Sequence, residues 1–117
     1  HVRYALCVAL DPHRLAELRS IALHRAIAVA ILRDPLLIEE ARRRLRQRVG
    51  RARGERSYAG AWAQWLELPP GELARRIVCD DDDGRAMRQS TPFTFVVTPQ
   101  QRWAIWARVR DQSGREP

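Results

Sequence analysis

The chain of 117 residues contains no lysine and no asparagine, so all 21 of its cationic side chains are arginine. A GC-rich coding sequence explains such a bias. Selection for planar, bidentate recognition of phosphate or carboxylate explains it too. Because coding bias is sufficient, the use of arginine in place of lysine does not by itself identify a ligand.

Motifs of the common catalytic and metal sites are also missing. Cys7 and Cys79 are the only cysteines and form no C-x-x-C pair, and the three histidines lack metal-ligand spacing. There is no glycine-rich phosphate loop and no G-x-S-x-G motif. The run Asp80–Asp83 has no EF-hand spacing, and its position before a short helix favours capping over cation binding. We therefore predict no cofactor and no metal. We expect two buried thiols, with a disulfide between Cys7 and Cys79 as the alternative.

Long hydrophobic runs are absent as well. The apolar stretch before Asp11 is too short to span a bilayer and lacks the layout of a signal peptide. With 45% hydrophobic and 30% charged residues, the composition is that of one globular domain. We expect a cytoplasmic protein without membrane contact, folded over residues 1–112 and frayed over 113–117.

Helix signals recur along the chain. Asp11-Pro12 and Asp34-Pro35 each place a capping aspartate before a proline, and Thr98–Gln101 forms a capping box. The pattern predicts a mostly α fold, a compact bundle of five or six helices around the first one. The predicted helices are Asp11–Arg33, Pro35 to about Gly50, Ser57 to about Leu68, Glu72–Cys79, Gly84–Gln89 and Pro99 to about Arg110.

Two segments depart from the helical pattern. In residues 2–10, larger apolar side chains occupy every second position, which is typical of a half-buried strand. Phe93–Val97 is the only other β-rich run. The two are compatible with a minor two-stranded β pairing. An N-terminal extension of the first helix is the competing interpretation of the first ten residues.

Positive charge is concentrated between Arg42 and Arg56. This segment holds eight arginines and one acid, Glu55, so it carries +7, which equals the formal net charge of the whole chain. Such a cluster attracts an anion, either a nucleic-acid backbone or an acidic face of a partner protein. A solvated helix face without a partner is the third interpretation. The cluster consists of Arg42, Arg43, Arg44, Arg46, Arg48, Arg51, Arg53 and Arg56.

Aromatic residues follow the cluster. Tyr58, Trp62 and Trp65 would stack on bases beside a phosphate groove, but their spacing of three and four residues favours packing in the core. Trp103 and Trp106 are three residues apart and receive the same interpretation.

One pair of residues suggests catalysis. Arg19 and His24 have the R-x₄-H spacing, which resembles the motif of the HEPN ribonucleases. There a histidine acts as general base or acid on an RNA phosphate while an arginine stabilises the developing charge. The alternative is two ordinary side chains at the rim of an amphipathic helix.

Several segments together resemble a group of small bacterial proteins, some of them encoded in two-gene units of the toxin–antitoxin kind. The most specific stretch is Arg88–Phe93 followed by Gln101-Arg102-Trp103. The resemblance covers about residues 19–110 and implies an operon partner, usually a small DNA-binding protein, without any catalytic residue. Arg88, Gln89 and Ser90 either close a helix or contact that partner. The other matching segments are Leu23–Ala28, Asp34–Leu37 and Trp62–Leu66.

These observations favour a non-enzymatic binding protein, one half of a toxin–antitoxin-type pair, whose segment 42–56 binds nucleic acid or an acidic protein. The first alternative is a metal-independent toxin ribonuclease using Arg19 and His24. The second is a structural interaction module. The sequence leaves open whether the protein is toxin or antitoxin, and its oligomeric state.

Overall fold

A computed structural model describes residues 11–49 and 56–115 of the chain. These residues form six α-helices and a short 3₁₀ turn at Thr94–Val96, so the predicted mostly α fold is confirmed. The helices are α1 (Pro12–Arg33), α2 (Leu36–Val49), α3 (Arg56–Trp65), α4 (Pro70–Arg76), α5 (Asp82–Gln89) and α6 (Pro99–Arg115).

The predicted caps begin three of these helices. The Asp11 carboxylate accepts a hydrogen bond from the Arg14 amide at 2.8 Å, and Asp34 accepts one from the Leu36 amide at 3.2 Å. Thr98 and Gln101 exchange side-chain to backbone bonds at 2.8 and 3.1 Å, which completes the capping box of α6. Each cap satisfies amide groups that the first helical turn leaves without a partner.

Helix α1 lies at the centre of the bundle and packs mainly on α4 and α6. Its residues Ile27 and Ile31 are fully buried. Trp62 of α3 is also fully buried, and its indole Nε1 donates to the Met87 carbonyl of α5 at 2.9 Å. The Trp62 ring meets Phe93 edge to face, so the aromatic core joins α3 to the segment after α5.

The β-rich run 93–97 does not form a strand. Its amide and carbonyl groups close a 3₁₀ turn in which the Val96 amide donates to the Phe93 carbonyl at 3.1 Å. Phe93 and Val97 are both buried, whereas Thr94 is exposed and Phe95 and Val96 are only partly buried. The predicted partner, residues 2–10, lies outside the described residues.

Three smaller expectations also need correction. Helix α6 continues to Arg115, because no proline interrupts it after the predicted end near Arg110. Cys79 is exposed, not buried, while Cys7 lies outside the described residues. Trp103 is 69% exposed and is not part of the core.

No helix in the described part of the chain is both long and apolar enough to cross a membrane.

Candidate anion-binding surface

The apolar stripe of α2 determines the direction in which each arginine of this helix points. Ile38, Ala41 and Leu45 are buried, so they fix the side of α2 that faces the core. Helical spacing then places Arg42 on one flank of that stripe, Arg44 and Arg48 on the other, and Arg43 and Arg46 on the outer side.

Arg42 and Arg48 connect α2 to other elements. Arg42 forms ion pairs with Glu39 and Glu67 and donates to the Leu66 carbonyl at 2.5 Å, which ties α2 to the end of α3. Arg48 donates to the Ser90 carbonyl at 2.7 Å, just after α5. Hydrogen bonds from a charged side chain to backbone carbonyls of another helix or its end stabilise the fold, so Arg42 and Arg48 have a structural role.

Arg43 and Arg44 share one carboxylate on the surface. Their Nε atoms donate to Glu40 at 2.9 and 2.7 Å, and the hydrogen bond from Arg43, followed by that from Arg44, lowers the pKa of Glu40 to about 2. The Arg44 guanidinium also lies 4.4 Å from the centre of the Phe95 ring. Both arginine side chains are about half exposed. Exposed pairs contribute little to stability, so an incoming anion can replace Glu40 at small cost.

Arg46 is exposed and makes no hydrogen bond or ion pair with any described residue. Arg51 and Arg53 lie outside the described residues, as does the side chain of Arg56 at the start of α3. Five arginines against Glu39 and Glu40 leave α2 with a charge of +3. The outward positive surface, which we call the α2 surface, therefore comprises Arg43, Arg44 and Arg46.

The acidic run Asp80–Asp83 does not neutralise the α2 surface. Asp80 pairs with Arg14 at 3.2 Å, which lowers the pKa of Asp80, and Asp81 caps α5 through the Gly84 amide at 2.7 Å. In the described ranges, 11–49 and 56–115, no group of acids, histidines or cysteines could hold a metal ion.

Arg19 and His24 do not converge on a common site. The Arg19 guanidinium lies 5.4 Å from the centre of the Trp106 ring. His24 is only 1% exposed, and its Nδ1 donates to the Ser20 carbonyl at 2.8 Å. Burial lowers the pKa of His24 to about 4. A histidine enclosed in this way cannot reach an RNA phosphate, so the geometry does not favour the ribonuclease hypothesis.

The motif of Arg88, Gln89 and Ser90 mainly joins helices. Arg88 is 3% exposed, and its Nη1 donates to the Ile77 and Cys79 carbonyls at 3.3 and 2.6 Å, which holds the end of α4 against α5. Burial lowers the pKa of Arg88. Its Nε and Nη2 are sealed from solvent, so no ligand reaches them in this arrangement. Ser90 accepts from Arg48 through its carbonyl, and Gln89 is exposed.

A groove between α1 and α6, with a volume of about 320 Å³, was not predicted from the sequence. Its lining includes neither an arginine of the 42–56 cluster nor Arg19 or His24, so the candidate functional residues of the sequence did not indicate it. A signal was nevertheless present, since residues 18–33 and 99–110 contain no acid at all.

The described residues therefore form a small helical domain in which one helix, α2, carries exposed arginines. Comparison with protein-family models, with curated proteins and with solved structures gave no match.

Proposed function

We propose that this protein acts by binding nucleic acid through the α2 surface and the arginines that follow it, Arg51, Arg53 and Arg56. The observation that carries the proposal is that Arg43, Arg44 and Arg46 are all exposed within one turn of α2, with one carboxylate, that of Glu40, to displace. The resemblance to members of two-gene units adds the further proposal that the protein is one half of a toxin–antitoxin-type pair.

The chemistry of the contact follows from the arginine side chain. A guanidinium binds phosphate oxygens through paired N–H groups, and each neutralised phosphate releases condensed counterions. Phosphate replaces Glu40 as the acceptor for Arg43 and Arg44. Contacts of this kind position a backbone and do not distinguish bases, so we propose binding with little sequence preference.

The test is fluorescence anisotropy with unrelated 20-mers of RNA, single-stranded DNA and duplex DNA. Binding should weaken by roughly 100-fold or more between 50 and 200 mM salt. The triple variant R43Q/R44Q/R46Q should bind more weakly than the parent, and the slope of log affinity against log salt should fall by about 2 to 3 for duplex DNA.

A matched control is available on other helices. Arg75 and Arg76 of α4 and Arg110 of α6 are exposed, so R75Q/R76Q/R110Q removes three charges without touching the α2 surface. Equal losses in the two triple variants would mean that net charge alone, not this surface, governs binding. Undetectable binding of the parent at 50 mM salt would remove the proposal.

An acidic protein is the second candidate partner for the same surface. The supporting observation is that Arg43 and Arg44 already hold a carboxylate of this chain, Glu40. If the product of the neighbouring gene forms a complex that R43Q/R44Q/R46Q weakens, while oligonucleotides do not bind, this candidate replaces the first. Growth assays with each gene expressed separately then distinguish toxin from antitoxin.

A further inference from the structure

The α1–α6 groove is open to solvent along the side of the bundle. Its walls come from α1, from the segment just before α6, and from α6 itself. Val29 is 49% exposed, and Arg33, Ala104 and Arg108 are exposed as well. The groove is lined by Ala26, Val29, Ala30, Arg33, Val96, Val97, Gln101, Ala104, Ile105 and Arg108.

Seven of the ten residues that line the groove are apolar, and three of these are alanines. Ala26 and Ala30 lie one turn apart on α1, and Ala104 faces them from α6. Leu32, next to Val29 on the helix surface, is 54% exposed. Large aliphatic side chains left open beside an apolar groove are typical of a surface that receives another protein segment.

The charges around the groove have one sign. Arg33 and Arg108 lie in its lining, and neither forms an ion pair with a described residue. Along α1 the nearest acids are Glu17, which pairs with Arg14 and Arg85, and Asp34, which caps α2. The first acid on α6 is Asp111, beyond the groove. The groove therefore presents apolar surface between two guanidinium groups that make no ion pair within the described residues.

We infer that the α1–α6 groove docks an amphipathic helical segment of a partner protein, with aliphatic side chains on one face and carboxylates on its flanks. Small residues on both walls allow a helix to approach closely, and Arg33 and Arg108 pair with the flanking acids. This interface shares no residue with the α2 surface and does not depend on the proposed nucleic-acid binding.

Two other possible occupants of the groove, the first ten residues of this chain and a second copy of it, have the wrong charge. Residues 1–10 of this chain contain Arg3 and no acid. A second copy that presented the same face would bring arginine against arginine. An acidic amphipathic segment is the occupant that both the apolar lining and the charge favour.

The test uses synthetic helical peptides and isothermal titration calorimetry with the full chain. The first peptide carries leucines at i, i+3, i+4 and i+7 with glutamates on both flanks. The second has lysine in place of each glutamate, and the third is a scramble of the first. We expect saturable binding of the first peptide, and binding of the other two that is roughly tenfold weaker or more.

Variants then locate the site. Ala104→Glu puts a bulky acid into the groove and should abolish binding, whereas Ala63→Glu, at an exposed helical position on α3, should not. R33Q/R108Q should weaken binding by about threefold to tenfold. The charge-matched R75Q/R76Q should leave it unchanged. Circular dichroism and thermal melting identify any variant that has lost its fold.

Several results would overturn the inference. These are no saturable binding of the glutamate peptide, equal binding of its scramble, or full binding by folded Ala104→Glu. Self-association that Ala104→Glu abolishes would instead assign the groove to a second copy. Oligonucleotide binding lost in R33Q/R108Q would assign it to nucleic acid. Because the peptide assay contains no nucleic acid, its failure and the failure of the α2 proposal are distinguishable.

Discussion

At the scale of single residues, Gly84 differs from Gly60 and Gly71 because the structure leaves no space for a side chain there. It lies in the first turn of α5, where an added Cβ would be 2.3 Å from the Cys79 carbonyl oxygen and 3.1 Å from Nη1 of Arg88. The neighbouring atom is backbone, so it cannot rotate away. Glycine is therefore needed here because of close approach, and its backbone conformation is ordinary.

We expect Gly84→Ala to lower the free energy of unfolding by roughly 1 to 3 kcal/mol, because the clash must separate α5 from the end of α4. Gly60→Ala on α3 is the matched control, since no atom lies within 4 Å of its added Cβ and helix propensity should raise stability by about 1 kcal/mol. Urea denaturation measures both. Equal midpoints for the two variants would contradict the geometry at Gly84.

His24 makes stability depend on pH. Its pKa is lowered from 6.5 to about 4, chiefly by burial, so the unfolded chain binds the proton more tightly than the folded one. The stabilising contribution is therefore complete above about pH 6.5 and is lost as the pH falls toward 4. A pKa difference of this size corresponds to a loss of roughly 3 kcal/mol in the free energy of unfolding as the pH falls through the whole range between the two pKa values.

Denaturation midpoints between pH 7 and pH 4.5 test this prediction. The parent should lose stability progressively across that range, and His24→Leu, which has no proton to bind, should have a flatter profile. His13→Gln, at an exposed position on α1, serves as the control and should follow the parent. Parallel profiles for His24→Leu and the parent would show that another group causes the loss.

At the scale of elements, the arginines of α2 divide into two kinds. Arg48 donates to the Ser90 carbonyl across a tertiary contact, while Arg46 makes no hydrogen bond or ion pair with a described residue. We expect Arg48→Gln to lower the free energy of unfolding by about 1.5 to 3 kcal/mol, the usual contribution of a hydrogen bond to a charged group. Arg46→Gln should change stability by less than about 0.5 kcal/mol.

Thermal denaturation of the two variants separates structural from surface arginines. The result also guides the binding experiments, because loss of affinity in an Arg48 variant would partly reflect a loosened α2. If Arg46→Gln proves the more destabilising of the two, the division of the arginine cluster proposed here is incorrect.

The helices could be predicted because their signals are local. Asp11, Asp34 and Thr98 cap amides within the next few residues, so their effect does not depend on the rest of the fold. The run 93–97 could not be predicted in this way. Its propensity favours a strand, whereas the structure places Phe93 edge to face with Trp62, a contact between residues far apart in sequence that propensity does not predict.

The candidate site was predictable only in part, for the same reason. The pairing of Arg43 and Arg44 with Glu40 follows from spacings of three and four residues along one helix. The bonds from Arg42 to Leu66 and from Arg48 to Ser90 join elements far apart in sequence. No local pattern could show that these two arginines are used internally, so the charge count overstated the outward surface.

At the scale of the whole molecule, the positive charge divides between two surfaces on different helices. The α2 surface carries Arg43, Arg44 and Arg46 around a carboxylate, whereas the α1–α6 groove carries Arg33 and Arg108 around apolar side chains. The difference in chemistry predicts different ligands. A phosphate backbone is bound by hydrogen-bond donors without apolar contact, whereas an acidic amphipathic helix needs both the donors and the apolar contact.

The two surfaces should therefore respond to mutation independently. R43Q/R44Q/R46Q should weaken oligonucleotide binding and leave the glutamate peptide bound, while Ala104→Glu should have the opposite effect. The two surfaces share no residue, and sites without shared partners add in free energy, so saturating peptide should change oligonucleotide affinity by less than about twofold at 150 mM salt. Competition between the two ligands would mean that both occupy one continuous positive face, because a ligand that bridges the surfaces excludes the other. Anisotropy titrations with and without peptide distinguish these outcomes in a single experiment.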